Sequence, residues 1–173
     1  GELPSGSALR AYVAKRMRLR GLPQPVKAAL ELLPASTHPM DVMRTGCSVL
    51  GTVLPERDSH PVAEAREIAD RLMASFGSML LYWYHYSHNG RRVEVETGDE
   101  TIAAHFLHVL HGRPPSALHA RALDQSLILY AEHEFNASTF AARVIAGTNS
   151  DFYSAITGAI GALRGPKHGG ANE

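Results

Sequence analysis

An all-α fold is what the sequence predicts, on three observations. Apolar residues recur at helical spacing along nearly the whole chain, the breaks fall on proline, glycine and small polar clusters, and strict alternation is confined to Arg92-Val93-Glu94-Val95. At 173 residues there is enough chain to bury a real core, and one compact domain is the default.

The first helix carries Leu9, Val13 and Met17 behind possible caps at Ser5 and Ser7. A second spans 23–33, opened by Pro23 and ended by Pro34 and the Ser36-Thr37-His38-Pro39 cluster. A third covers 40–53. After the polar turn 55–61, one long helix is expected over 62–86, with Ile68, Leu72, Phe76, Leu80 and Tyr84 along it, as befits a core helix. The segment 87–99 contains Asn89-Gly90, a strong turn signal, and is expected to be a loop or a small hairpin. Helices over 100–111, 115–131 and 138–147 come next. The last, 151–163, is rich in small residues (Ala155, Gly158, Ala159, Gly161, Ala162). Each glycine weakens a helix by about 1 kcal/mol relative to alanine, so another helix is expected to pack closely there, from the same chain or from a partner subunit.

Lys and Arg number 17, as do Asp and Glu, which leaves no basic field for nucleic acid or an anionic membrane. No apolar run approaches the eighteen or so residues a membrane span needs, and the start, Gly1-Glu2-Leu3-Pro4-Ser5, lacks signal-peptide character. The lone Cys47 sits among apolar residues and reads as a small buried hydrophobe, so a cytoplasmic setting is expected. Without an export signal, the acceptor pattern Asn136-Ala137-Ser138 is not read as a glycosylation site. Gly1 in place of methionine, and a loop-like end at Gly169-Gly170-Ala171-Asn172-Glu173, suggest that both ends are cut.

His105, His108 and His111 recur every three residues, but no cysteine or carboxylate pattern completes a ligand set, and no metal site is expected. The aromatic run from Tyr82 to His88 reads as core packing with polar tips. Phosphate loops, nucleophile elbows and zinc-protease motifs are all missing. Two segments remain. Tyr130-Ala131-Glu132-His133-Glu134-Phe135-Asn136-Ala137-Ser138-Thr139-Phe140 gathers hydrogen-bonding side chains at a helix start, whose free N–H groups suit an anionic ligand. Leu163-Arg164-Gly165-Pro166-Lys167-His168-Gly169-Gly170-Ala171-Asn172 sets a histidine among glycines that let a substrate approach the backbone. A helix beginning just after His168 would disfavour its imidazolium, and a neutral ring can give a proton to a developing enolate.

These two segments resemble the citrate synthase family, through His-Glu-x-Asn-x-Ser at 133–138 and Gly-Pro-x-His-Gly-Gly-Ala-Asn-Glu at 165–173. Together with His38-Pro39-Met40-Asp41-Val42-Met43-Arg44 and Leu81-Tyr82-Trp83-Tyr84-His85-Tyr86-Ser87-His88-Asn89-Gly90, they look like its 2-methylcitrate branch. The resemblance implies a multi-helical large domain, incomplete here. Residues 1–173 would be its central part, ending at the junction to a small domain that is absent. It implies an acyltransferase that condenses propionyl-CoA, or acetyl-CoA, with oxaloacetate and water to give 2-methylcitrate or citrate and CoA. His168 would be the catalytic proton donor to the thioester oxygen, with His133 and Asn136 binding oxaloacetate. No cofactor or metal is implied, since acyl-CoA is a substrate, and a homodimer is expected. The family's second histidine, aspartate base and carboxylate-binding arginines would lie beyond Glu173, so the chain alone is expected to be inactive. Citrate synthase proper, and a non-catalytic helical dimerisation module, are the alternatives.

Overall fold

The computed structural model describes residues 3–57 and 59–172. Gly1 and Glu2 at the start, and Glu173 at the end of the second motif, lie outside the described residues. The regular elements of the described chain are helices, in the order α1 (Gly6–Arg18), α2 (Gln24–Glu31), α3 (Pro39–Val53), α4 (Val62–Asn89), α5 (Ile102–His111), α6 (Ala117–Tyr130), α7 (Ala137–Ala146) and α8 (Phe152–Leu163). A 3-10 turn (Gly169–Asn172) closes it, and no strand occurs among the described residues. The all-α expectation therefore holds.

Helix starts obey capping chemistry. Ser5, Thr101, Ser116, Asn136 and Asp151 each accept a first-turn N–H through the side chain, beginning α1, α5, α6, α7 and α8. Pro23 turns out to be the N-cap residue of α2, with Pro25 inside the first turn.

The core is built on α4. Its Ile68, Leu72, Ser75, Met79 and Tyr82 alternate four and three residues apart and form one buried stripe. Against that stripe pack Val26 and Leu30 of α2, Val42, Cys47 and Leu50 of α3, and Val109 of α5. Side chains buried this completely stabilise a fold by about 1.5–3 kcal/mol each. Cys47 is fully buried, as expected. Tyr82 and Trp83 are buried with polar tips satisfied, the phenol donating to Glu31 Oε1 at 2.6 Å and the indole N–H to the Leu33 carbonyl at 3.2 Å. Arg92 also bonds Glu31, at 2.8 Å, and with Tyr82 it holds that carboxylate down at about 2.

At 87–99 the Asn89-Gly90 signal resolves as a helix stop and not as a hairpin turn. Gly90 takes φ +65°, and the Gly90 and Arg91 N–H groups close on the Tyr86 and His85 carbonyls, so α4 runs three residues beyond the expected 86. Side chains then take up the carbonyls that a hairpin partner would have used. Buried Arg20 donates to the Thr97 and Thr101 carbonyls at 2.9 and 3.3 Å, and Ser78 donates to Val95 at 3.4 Å. The segment is consequently a loop.

α8 packs on both α3 and α7. A Cβ added at Gly158 would collide with Ile145 of α7, and one at Gly51 of α3 would meet Tyr153 of α8 at 2.7 Å. Gly158 of α8 thus serves packing within the chain. α6 is different, since none of its residues is buried, and Leu118, Ile128, Leu129 and Tyr130 are largely exposed.

Candidate functional site

Asn136 begins the site. Its side-chain Oδ1 accepts the Thr139 N–H at 2.7 Å, which starts α7 and puts Ser138 in the first turn. Its amide nitrogen keeps two donors for a ligand. Three residues earlier, His133 is exposed, and its Nδ1–H donates to the Glu134 carbonyl at 3.2 Å. Because a carbonyl only accepts, that bond places a proton on Nδ1.

The second motif arrives from the far end of α8. Arg164 Nε reaches Asp41 Oδ2 at 3.4 Å and ties the end of α8 to the first turn of α3. The chain then doubles back, with the His168 and Gly169 N–H groups both on the Gly165 carbonyl at 3.0 and 2.9 Å. A Cβ on Gly169 would strike the Leu163 carbonyl, so only glycine fits directly after the histidine. From Gly169 the backbone makes a 3-10 turn over Gly169–Asn172.

These two arrivals meet. The His133 and His168 rings lie edge to face, centroids 5.8 Å apart at 75°, although the residues are far apart in the chain. Ser138 Oγ sits 2.9 Å from His168 Nε2 and occupies that nitrogen, which leaves Nδ1 for any reacting group. His168 is half-buried, neither sealed in the core nor fully in water. The sequence places Ser138 within the motif but assigns it no role. The signal that could have found it is the Asn136 cap, which sets the next polar side chains on the first turn of α7. Asn136 and Ser138 also line an open groove of about 640 Å³ with Glu56, His60 and Phe152. Glu56 accepts the Phe152 N–H at 2.5 Å and lies 3.5 Å from His60 Nδ1, so the loop before α4 is fastened to the start of α8 beneath that groove. A larger groove, about 890 Å³, lies between the end of α4, the loop and α5, and contains neither motif.

The three α5 histidines part company. His105 is buried between Ser78 Oγ at 3.2 Å and Thr97 Oγ1 at 3.1 Å, His108 bonds Asp99 at 2.7 Å, and His111 is exposed. Among the described residues, no group of three or more His, Cys, Asp or Glu side chains could hold a metal. No described helix is long and apolar enough to cross a membrane.

The family described as the citrate synthase C-terminal domain matches residues 1–173. Among curated proteins, the 2-methylcitrate synthase of Shewanella oneidensis is 61% identical over 100% of this chain and 45% of its own length. That of Mycobacterium tuberculosis is 42% identical over 100% of this chain and 43% of its own length. The chain thus spans less than half the length of these relatives. Among solved structures, citrate synthase from Thermotoga maritima is 36% identical with a TM-score of 0.81. The ternary complex of carboxymethyl coenzyme A and oxaloacetate with citrate synthase from Thermoplasma acidophilum is 28% identical with a TM-score of 0.88. Each comparison covers 99% of this chain and 44% of that structure.

Proposed function

The chain belongs to the citrate synthase family, and from that premise we propose that a longer polypeptide carrying it condenses propionyl-CoA with oxaloacetate and water, giving 2-methylcitrate and free CoA. The observation that carries this reading is the meeting of the His133 and His168 rings, 5.8 Å apart, at the start of α7. In this reading His168 gives a proton from Nδ1 to the thioester oxygen as a base removes one from the α-carbon. Ser138 holds the other ring nitrogen, so the ring cannot swing its donor away. The resulting enol attacks the oxaloacetate carbonyl, and water then cleaves the thioester to release CoA. His133 and the Asn136 amide orient oxaloacetate beside the α7 N-terminus, whose positive dipole end suits a carboxylate.

Acyl-CoA is a substrate here, and the reading needs no resident cofactor. The base and the arginines that hold the carboxylates are assigned to parts of the longer polypeptide outside this chain, so the chain alone is expected not to turn over. Acetyl-CoA is the competing acyl donor, because one methylene is worth only about 1–3 kcal/mol of discrimination. A homodimer is the proposed assembly, in a cytoplasmic setting.

The test is release of CoA thiol from propionyl-CoA plus oxaloacetate by the longer polypeptide, which should sediment as a dimer. The expected result is turnover that falls by about 10²–10⁴-fold in His168→Ala, with the helical circular-dichroism spectrum unchanged. An undiminished rate in that variant would refute the role of His168.

A further inference from the structure

Between the two motif histidines lies a turn that works against its own residues. Glu134 and Phe135 both have positive φ, 44° and 37°, and neither is glycine. Side chains disfavour that conformation by a factor of about 5 to 30 per residue. Burial of Phe135 does not offset this, since its side chain is 99% exposed. Two hydrogen bonds oppose the penalty. The Glu134 N–H donates to Glu132 Oε1 at 2.6 Å, a short bond to a charged acceptor, and the Glu134 carbonyl accepts His133 Nδ1–H at 3.2 Å. The same turn delivers the chain into the Asn136 cap and sets the His133 ring edge to face against His168.

We infer that Glu132 is a positioning residue, whose carboxylate clamps the left-handed turn at 134–135 and thereby holds His133 against His168. Without the clamp the turn relaxes toward negative φ, carries the Glu134 carbonyl away from His133 Nδ1, and lets the His133 ring leave its neighbour. The inference rests on reading the two histidines as one site. Its test tracks ring geometry in this chain and not turnover, so the two can fail separately.

The experiment is nuclear Overhauser spectroscopy of the 173-residue chain, reading the cross-peak between the His133 and His168 ring protons. Glu132→Ala should weaken it by about fivefold or more, the factor that about 1 kcal/mol is worth, with the circular-dichroism spectrum unchanged because the residue is exposed. Adding Glu134→Gly and Phe135→Gly, which remove the φ penalty, should restore the cross-peak even without the clamp. A rescue of this kind is not expected of a carboxylate that merely stabilises the helix end. An unchanged cross-peak in Glu132→Ala, or no recovery in the triple variant, would overturn the inference.

Discussion

His105 shows what one buried side chain does to the pH dependence of the whole. Burial, aided by the nearby Arg20 cation, pushes its imidazole down from 6.5 to about 4. Below 6.5 the unfolded chain therefore binds a proton that the folded chain refuses. Stability falls as pH drops through this window and levels off below about 4, where both states are protonated. Urea unfolding at about pH 7 and about pH 5 should show a loss of up to about 1.4 kcal/mol per pH unit from this residue. His105→Gln, which cannot ionise, should flatten that slope whatever it does to stability itself, and an equally steep slope in the variant would contradict the account. The sequence marks His105 only as one of three evenly spaced histidines. Spacing places all three on one helix, but Ser78, Thr97 and Asp99, which divide them into three environments, come from α4 and the loop. Ser138 was hidden for a similar reason, because its partner His168 lies 30 residues away across α7 and α8.

Helices were the most legible scale, since periodicity and capping are local. Every expected helix exists, and the largest boundary shift, three residues at the end of α4, is set by a cap, at Gly90, where a turn signal became a stop. What spacing could not supply was the partner of each face. The small residues of α8 left a neighbour from this chain and one from another subunit equally open, and the contacts with α3 and α7 show a neighbour from this chain at Gly158 and at Tyr153. A pair of substitutions tests it. Gly51→Ala puts a Cβ 2.7 Å from the Tyr153 Cβ, which cannot rotate away, and should destabilise by about 1–3 kcal/mol. Gly161→Ala meets only Arg44 side-chain atoms at 3.9 Å, so the better helix propensity of alanine should win by about 0.5–1 kcal/mol. Thermal unfolding of the two variants should move in opposite directions, and equal shifts would sink this packing argument.

Across the whole molecule, stability is unevenly placed. α4 carries the buried stripe, while α6 buries no residue and α7 none of its own, though α7 lies along α8. Amides of α6 should therefore exchange with deuterium well before those of α4, and uniform protection across both would contradict the packing described here. The candidate site was legible at this scale because its two motifs are specific in residue type and order. Their meeting was not, for it depends on the reversal between α7 and α8, on Gly165 and Gly169, and on the Asn136 cap. The central claim is that His133 and His168 share one site, the first beside oxaloacetate and the second beside the thioester that attacks it. The most direct measurement is an oxaloacetate titration of the longer polypeptide, monitored through its histidine ring resonances. Both rings should shift together with a single dissociation constant, and His133→Ala should remove the response of His168. Rings that stay still, or that move with unrelated constants, would mean that the two histidines do not share a site.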